Sequence, residues 1–428
     1  MGLTINIQEN LQRNNMVEGV LSGYRAIDLT NEKGFLCGKL LADFGVDVIK
    51  IEPPGGDPSR NVPPYYHDEP HPEKSLYWIS YNSNKRGITL NLQTEKGQAL
   101  FKRLIKETDF LIESFKPGYL ASLGLEYKAL SSVNPGLIMA SISPFGQTGP
   151  YAGFEGSDIV VQAMGVLLCQ AGNPDRPPVR TSVPQAYLHA AADAAEAMMI
   201  ALYHRGHNNE GQCIDVSAME SVLWTASRAL PFWDHSKVQS ERTAGLIAAS
   251  GKYTPGIWEC KEGYVAMVFQ ASLMGTRINQ RLTKWMEDEG MAPLFMKEKD
   301  WEQWDWLQVT QDELDQLTDA IGRFFKAHTA DELEEESTKR GIRMHKVCNS
   351  ADTFANVQLK ARAFWVSMAF DYLDDTIIYP GAFTKLSVTA MKDWRRAPLI
   401  GEHNREVYID ELGLSEVEFD SLMADGII

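Results

Sequence analysis

The chain has 428 residues, of which 44% are hydrophobic and 23% charged, a composition typical of folded globular proteins. A single compact core rarely grows to this length, so we expect two domains, or one large domain that carries a smaller one. The formal net charge of −16 argues against a duplex nucleic-acid binder, which would carry a basic surplus.

The chain contains five cysteines: Cys37, Cys169, Cys213, Cys260 and Cys348. Their odd number, wide spacing and lack of a CxxC pair predict free thiols in a reducing compartment, and neither a disulfide frame nor a metal site.

Residues 1–15 are polar and have no apolar run of the signal-peptide kind, and no stretch approaches a membrane span. We therefore expect a cytoplasmic protein.

The first elements form one strand–helix–strand unit. Residues 23–30 (GYRAIDLT) predict a strand, residues 34–45 a helix that stops at Gly45, and residues 46–54 a β-branched strand ended by two prolines. Units of this kind build parallel sheets. The turn between strand and helix, DLTNEKGFLCG, has no GxGxxG motif, which argues against a nicotinamide dinucleotide site.

The alternation continues with strands predicted at residues 86–92, 109–115 and 136–145 and a helix at 95–108. Repeated strand–helix units predict an open, mostly parallel α/β sheet with helices on its faces.

A helical region follows. Residues 157–171 are predicted as one helix, residues 184–205 as a second that starts near Pro184, and residues 212–224 as a strand leading into a helix.

The pattern of predicted elements changes beyond residue 225. Residues 253–269 predict two strands joined by a Lys-Glu-Gly turn, residues 271–340 predict charged amphipathic helices, and the rest resumes a strand-rich pattern ending in a short acidic helix. We therefore predict a large domain in residues 1–225, a small domain with linkers in residues 226–349, and a return to the large domain in residues 350–428.

Seven blocks along the chain resemble, in order, class III CoA-transferases, the group of formyl-CoA transferase and carnitine-CoA transferase. The blocks are LLADFGVDVIKIEPPGGDPSR, YNSNKRGITLNLQTEKG, DFLIESFKPGYLASLGLEYKAL, NPGLIMASISPFGQTGPYA, DRPPV, IALYHR with GQCIDVSAMES, and RRAPLIGEHNREV. The resemblance implies a large Rossmann-like domain and a small α+β domain joined by two linkers. It also implies an interlocked dimer.

The same resemblance implies covalent catalysis by an aspartate. The carboxylate attacks an acyl-CoA thioester to form a mixed anhydride, the CoA thiolate then attacks that anhydride, and the acceptor acid finally takes over the CoA. In this chain the aspartate position, 18 residues before Arg205, is occupied by Tyr187. A phenol does not replace a carboxylate in this chemistry and stays protonated up to about pH 10. Tyr187 is interpreted as filling the space, with a role as proton donor as the alternative.

Other departures from the family accompany Tyr187. Pro53, Ser122 and Ser143 stand where basic residues often meet the CoA phosphates, and the GIP-type turn of many members reads Gly341-Ile342-Arg343. His189 and Asp193 share a helix face and predict a structural hydrogen bond, although related racemases use such residue types as an acid–base pair.

The resemblance also assigns the residues for coenzyme A. Leu90, Asn91, Ser114, Phe115 and Lys116 match positions that line the adenine and pantetheine groove of the family, and Lys116 stands where glycine is usual. The pair Lys85 and Arg86 either meets phosphate or holds a strand in place.

Within the family, PQAYLHA and DRPPVR are most similar to the subunit that lacks the aspartate in two-subunit benzylsuccinate CoA-transferases of anaerobic toluene breakdown. This implies a non-catalytic or weakly active subunit, intertwined in a heterodimer or higher heteromer with a paralogue that bears the aspartate. The complex would move CoA from succinyl-CoA to an acid such as (R)-2-benzylsuccinate, without metal, nucleic acid or membrane. Two alternatives stay open: an acyl-CoA isomerase, epimerase or dehydratase, and a structural partner that binds no CoA.

Overall fold

The computed structural model describes residues 19–269, 273–389 and 394–428. The chain folds into two compact units. The first holds residues 19–168, 180–239 and 361–428, and the second holds the remaining described residues. In the described part of the chain, no helix is both long and apolar enough to cross a bilayer.

A six-stranded sheet forms the centre of the first unit. Its strands are β1 (Arg25–Leu29), β2 (Asp47–Glu52), β3 (Arg86–Thr89), β4 (Phe110–Glu113), β5 (Ile138–Ser143) and β6 (Cys213–Ser217). The order is β3-β2-β1-β4-β5-β6, and every neighbouring pair is parallel. The predicted open parallel α/β sheet is confirmed. The strand order reverses between β1 and β4, which opens a crevice at their carboxyl ends.

Nine α-helices are described between β1 and residue 239. They are α1 (Phe35–Asp43), α2 (Leu76–Tyr81), α3 (Glu95–Ile105), α4 (Tyr119–Ser122), α5 (Tyr127–Ser131), α6 (Asp158–Met164), α7 (Gln185–Asn208), α8 (Ala218–Thr225) and α9 (Ala229–Ser236).

Helix α7 packs on one face of the sheet through small side chains. Ala186, Ala190 and Ala194 are fully buried in the same apolar cluster as Ile112 and Ala140 of the sheet. Because alanine adds little bulk, the helix approaches the strands closely.

The prediction of one helix over residues 157–171 is wrong. Helix α6 ends at Met164, and Val166 has a left-handed φ of 71° that turns the chain. A Cβ on Gly165 would meet Val222 Cγ1 at 2.8 Å, so close packing against α8 requires glycine at the end of this helix. In the sequence, apolar residues keep their helical spacing through the turn at Val166, so the turn could not be seen from that spacing.

The second unit combines small antiparallel sheets with amphipathic helices. Its strands are β7 (Leu246–Ala249), β8 (Lys252–Pro255), β9 (Ile257–Glu259), β10 (Tyr264–Ala266) and β11 (His345–Lys346). Its helices are α10 (Leu273–Asp288), α11 (Leu294–Lys297), α12 (Gln311–Lys326), α13 (Ala330–Arg340), α14 (Ser350–Ala355) and α15 (Val357–Ala361). The predicted hairpin is confirmed as the antiparallel pair β9–β10, and Trp301 packs in the core of this unit.

The boundaries at 226 and 349 suggested by the sequence differ from this division. Residues 226–239 belong to the first unit, and residues 350–360 belong to the second.

The chain then returns to the first unit. Residues 361–428 form the hairpin β12 (Trp365–Phe370) and β13 (Asp375–Pro380), a π-helix at Glu406–Glu411 and helix α16 (Glu416–Ala424). The expectation of a strand-rich pattern from residue 350 onward is wrong, because helices outnumber strands in the described part of this region.

Residues 361–428, here called the returning segment, form hydrogen bonds with the edge strand β3. Thr89 N–H donates to Asn404 Oδ1 at 2.9 Å, Tyr408 OH donates to the Thr89 carbonyl at 2.8 Å, and Gly87 N–H donates to His403 Nδ1 at 3.1 Å. These bonds cover the edge strand of the sheet and explain why the block RRAPLIGEHNREV belongs to the large domain.

Candidate functional site

Tyr187 lies in the first turn of α7 and is 5% exposed. Its hydroxyl donates a hydrogen bond to the carbonyl of Gly156. Burial raises the pKa of the phenol, and the carboxylates of Glu32, Asp158 and Glu155 raise it further. The side chain at position 187 is therefore a neutral donor engaged within the protein.

A carboxylate does stand at the start of this helix, but another element supplies it. Asp158 Oδ1 accepts from Ala186 N–H at 2.9 Å, and its Oδ2 accepts from Gln162 Nε2 at 2.5 Å. Pro184 is the N-cap residue of α7 and provides no side-chain cap. Asp158 thus caps a helix whose own sequence lacks a capping side chain. This role of Asp158 was not predicted from the sequence, because the helix that it caps begins 27 positions later and leaves no local signal.

His189 and Asp193 do not form the predicted bond. Among the hydrogen bonds of the described residues, none joins their side chains, and both residues are half-buried on α7. Four-residue spacing places them on one face, but does not by itself bring an imidazole and a carboxylate into contact.

A groove opens at the carboxyl ends of the first four strands and has a volume of about 410 Å³. Its lining residues are Leu29, Ile51, Glu52, Pro53, Pro54, Asp57, Leu90, Asn91, Leu92, Gln93, Phe115, Tyr119 and Gly426. Leu29 ends β1 and Phe115 follows β4, so the groove lies at the point where strand order reverses. Open α/β sheets bind their ligands at this place.

The structure places three of the seven residues assigned to coenzyme A, namely Leu90, Asn91 and Phe115, in the lining of this groove. Leu90 is 2% exposed and forms an apolar wall, and Asn91 N–H donates to the Ile427 carbonyl at 2.7 Å. Residues of the returning segment therefore complete the groove, as Gly426 also does.

Ser114 and Glu113 hold the loop that carries Phe115. Ser114 Oγ accepts from Asn31 N–H at 2.9 Å and donates to Asn31 Oδ1 at 3.0 Å, which ties the loops after β1 and β4 together. Glu113 Oε2 accepts from Phe115 N–H at 2.7 Å. Phe115 and Tyr119 contact each other with ring centroids 4.7 Å apart. These bonds hold the loop that carries Phe115, and Phe115 forms one wall of the groove.

Glu113 is a buried acid that was not predicted from the sequence as a site residue. Burial raises its pKa to about 7, although Ser141 and the Phe115 N–H favour the carboxylate, and the nearby charge of Asp215 adds to the increase. Glu113, Ser141 and Asp215 are register partners on β4, β5 and β6, so they form one row across the sheet. A lone glutamate at the end of the apolar strand FLIE was the available signal.

Lys85 is engaged inside the protein. It is 2% exposed, and its ammonium donates to Asp28 Oδ2 at 2.8 Å, to the Phe35 carbonyl at 2.9 Å and to Asn82 Oδ1 at 3.0 Å. An ammonium has three donors, and these bonds use all of them. Desolvation by burial lowers the pKa of Lys85, while Asp28 opposes that change.

Arg86 occupies a second ionic cluster at the edge of the sheet. Its guanidinium pairs with Asp47 at 2.5 Å, Glu406 at 2.8 Å and Glu411 at 2.5 Å. These contacts connect β3 to β2 and to the returning segment, which is the strand-holding alternative raised from the sequence.

Lys116 is exposed beside the groove and is not part of its lining. Its ammonium lies 2.9 Å from Glu155, and both side chains face solvent, with 60% and 83% of their surface exposed.

In the described part of the chain, no three His, Cys, Asp or Glu side chains are grouped as metal ligands are.

Comparison with known proteins gives a consistent picture. The family model described as CoA-transferase family III matches residues 21–404. The chain is 35% identical to "Succinyl-CoA:(R)-benzylsuccinate CoA-transferase subunit BbsE" of Thauera aromatica, over 95% of this chain and 98% of that protein. It is 32% identical to "Succinyl-CoA--D-citramalate CoA-transferase" of Chloroflexus aurantiacus, over 92% and 94%.

A solved structure agrees with the sequence relatives. A CAIB/BAIF family protein from Brucella suis superposes with a TM-score of 0.79 at 27% identity, covering 92% of this chain and 99% of that one. The groove at the strand-order reversal, the seven ordered blocks and these matches lead to one conclusion: the chain belongs to CoA-transferase family III.

Proposed function

We propose that this chain is a subunit of a heteromeric class III CoA-transferase and that it does not supply the nucleophile. The partner is a paralogous chain with an aspartate at the position of Tyr187. The observation that carries the proposal is the buried Tyr187 hydroxyl, which is bonded to Gly156 and has a raised pKa. A protonated phenol offers no carboxylate oxygen for an acyl anhydride.

The chemistry would then take place on the partner's aspartate. Its carboxylate oxygen attacks the thioester carbonyl of succinyl-CoA, the C–S bond breaks and the CoA thiolate leaves. The thiolate attacks the aspartyl carbonyl of the anhydride, which releases succinate and leaves CoA on the aspartate as a thioester. The acceptor carboxylate attacks this thioester, and the released thiolate then attacks the acyl carbon of the acceptor and regenerates the aspartate.

The names of similar proteins support both the substrates and the heteromer. BbsE of Thauera aromatica is named as a subunit of a succinyl-CoA:(R)-benzylsuccinate CoA-transferase. A malate CoA-transferase of Chloroflexus aurantiacus, 30% identical to this chain, is named with alpha and beta subunits. We propose succinyl-CoA as donor and an acid such as (R)-2-benzylsuccinate as acceptor.

The surface of helices α7 and α8 supports a protein partner. Ile200, Tyr203 and Trp224 are 64%, 74% and 78% exposed. Ile200 and Tyr203 are three positions apart on α7 and so share one face of that helix, and an exposed apolar face is typical of protein contacts. The relevant assembly is therefore expected to cover them.

The test locates the covalent intermediate. The chain and its partner are purified together, supplied with succinyl-CoA and quenched with hydroxylamine, which converts an activated aspartate into a hydroxamate detectable by mass spectrometry. We expect the modified peptide in the partner and no transfer by this chain alone. A hydroxamate on this chain, or rapid transfer by the isolated chain, would overturn the proposal.

A further inference from the structure

A second groove, here called the acidic groove, lies wholly within the second unit and has a volume of about 470 Å³. Its lining residues come from α11, from the start of α12 and from the connection between these two helices. None of them also lines the groove at the strand ends. The proposed function therefore gives the acidic groove no role.

Carboxylates dominate the charge of this lining. It contains the carboxylates of Glu298, Asp300, Asp305 and Glu313 and a single ammonium, that of Lys299. Lys299 and Glu313 form an ion pair with each other. In the described part of the chain, the other three carboxylates form no ion pair. Three negative charges of the lining are therefore left without a cation.

Two of these carboxylates are held by uncharged donors. Asp300 Oδ1 accepts from the backbone N–H groups of the second and third residues after it, at 3.0 and 3.2 Å. Asp305 Oδ1 accepts from Leu307 N–H at 2.9 Å, and its Oδ2 accepts from Gln308 Nε2 at 3.2 Å. These bonds fix the position of each carboxylate and leave its charge in place.

Two lysines beside the lining do not reverse this balance. Lys297 is exposed at the end of α11, and the ammonium of Lys252 donates to the Trp306 carbonyl at 3.0 Å. From Glu298 to Asp315 the sequence has seven acidic residues and one basic residue. With both lysines counted, this part of the second unit still carries a clear excess of negative charge.

Trp304 lines the acidic groove and carries an unsatisfied hydrogen-bond donor. Its Nε1 atom is buried and has no partner among the described residues. Trp301 is 4% exposed, its ring centroid lies 5.3 Å from that of Trp304, and its Nε1 atom likewise has no partner there. Buried indole N–H groups ordinarily find an acceptor. The lining therefore calls for a ligand that brings one.

Apolar side chains are exposed at the same place. Phe295 lines the acidic groove and is 42% exposed, and its neighbour Leu294 is 63% exposed. Leu307, which precedes the lining residue Gln308, is 74% exposed. Large exposed apolar side chains beside a polar rim are typical of contact sites. The acidic groove therefore offers both apolar contact and negative charge.

We infer that the acidic groove binds a basic stretch of polypeptide from another protein, with arginine or lysine side chains at its carboxylates and a backbone carbonyl at the indole N–H of Trp304. The alkyl stems of these side chains suit the exposed rings, and a guanidinium also stacks on them. A free polyamine balances the charge but brings no acceptor for the indole. The inference goes beyond the proposed function and does not depend on it.

The direct test is fluorescence polarisation of the full chain with a labelled synthetic peptide, N-acetyl-Arg-Leu-Arg-Leu-Arg amide. The same peptide with citrulline at every arginine keeps the shape and the carbonyls and loses the charge. We expect saturable binding of the arginine peptide, at least tenfold tighter than that of the citrulline peptide and weaker as salt rises. Absence of saturable binding, or equal affinities for the two peptides, would overturn the inference.

Spermidine separates a peptide site from a site for free cations. It carries about three positive charges at neutral pH, as the arginine peptide does, because amines and guanidinium groups are protonated there. We expect spermidine to displace the labelled peptide at least tenfold less effectively than unlabelled arginine peptide. Equal displacement by the two would show a site for free cations and would overturn the inference.

A pair of charge variants places the binding in the acidic groove. Glu298→Gln combined with Asp305→Asn removes two charges from the lining, and we expect at least fivefold weaker binding of the arginine peptide. The matched control combines Asp319→Asn with Glu335→Gln, two exposed acids of the same unit outside the lining. It should stay within twofold of the unchanged chain. Equal affinities of the two double variants would contradict the inference.

Trp304→Phe tests the carbonyl contact, because it removes the indole N–H and keeps an aromatic ring. We expect about three- to tenfold weaker peptide binding, the usual effect of one hydrogen bond. Trp306→Phe is the control, since Trp306 lies outside the lining and its Nε1 already donates to the Ala249 carbonyl at 3.2 Å. Circular dichroism checks that both variants are folded. Equal affinities of the two folded variants would overturn the inferred carbonyl contact and with it the choice of a peptide.

Discussion

Asp158 and Ala186 are joined by a 2.9 Å hydrogen bond in which the Ala186 N–H donates to the Asp158 carboxylate. The two residues are 28 positions apart, so the cap of helix α7 comes from helix α6. A negative charge at the start of a helix also interacts favourably with the helix dipole. This single contact fixes the turn that presents Tyr187.

We expect Asp158→Ala to lower the free energy of unfolding by about 1 to 2 kcal/mol, the usual cost of losing an N-cap side chain. Urea unfolding followed by circular dichroism measures it. Glu196→Ala is the matched control, because Glu196 is an exposed acid on the same helix. Equal stability of the two variants would show that the bond carries no net stabilisation.

We expect Tyr187→Phe to cost about 1 kcal/mol of stability, because the buried Gly156 carbonyl loses its donor. The rate of CoA transfer by the complex should stay within twofold of the unchanged complex, since the phenol is not the nucleophile. Tyr264→Phe changes an exposed tyrosine in the second unit and serves as control. A folded Tyr187→Phe complex without activity would instead favour the proton-donor role.

We expect Lys85→Met to destabilise the chain by about 3 to 5 kcal/mol, the usual cost of leaving a buried charge without its partner. Asp28 is 0% exposed and would keep Lys50, at 3.8 Å, as its neighbouring cation, together with two hydrogen bonds from Thr30. The double variant Asp28→Asn with Lys85→Met should lose less than the sum of the single losses, which a double-mutant cycle of unfolding energies measures. Additive losses would contradict a direct pair.

Glu113 should make stability depend on pH. Its folded pKa of about 7 lies above the ordinary value of 4.5, so the folded chain holds a proton that the unfolded chain releases. The stabilising contribution is complete below about pH 4.5 and is lost as pH rises towards 7, by about 3 kcal/mol in all. We expect Glu113→Gln to remove this slope from unfolding free energies measured between pH 5 and 8.

The control for Glu113 is Glu107→Gln, which changes an exposed acid. It should keep the pH dependence of the unchanged chain. A slope that survives in Glu113→Gln would assign the effect to other carboxylates.

We expect Lys116→Ala to alter CoA affinity less than threefold and stability by less than about 0.5 kcal/mol, because exposed ion pairs contribute little. Lys116 and Glu155 are both largely exposed. Calorimetry with CoA checks the first value and urea unfolding the second. A tenfold loss of CoA affinity would restore Lys116 as a phosphate contact.

Much of the fold could be predicted because its strands are short apolar runs between helices of regular period. The residues from Arg25 to Glu52 form the predicted strand–helix–strand unit, with Gly45 at a φ of 104° after the helix. The break after Met164 could not be predicted, because the reason for it is packing of Gly165 against Val222, far along the chain.

The site could be predicted in part, for a similar reason. Leu90 and Phe115 lie within two residues of the ends of their strands, so their place at the carboxyl edge of the sheet follows from the sequence. Lys85 looked available for phosphate in the sequence, but its partner Asp28 lies 57 positions earlier. A charged side chain whose partner lies far away in the sequence cannot be distinguished from an unpaired one by the residues next to it.

The contacts between β3 and the returning segment have a consequence for the chain while it is being translated. Arg86 and Glu411, which form one of these contacts, are 325 positions apart. A ribosome adding about 5 to 20 residues per second needs roughly 15 to 65 s to make that stretch. Throughout this interval the nascent chain presents β3 as an open edge on which other strands can pair. Chaperone protection during translation is therefore expected to matter more for this protein than its final packing suggests.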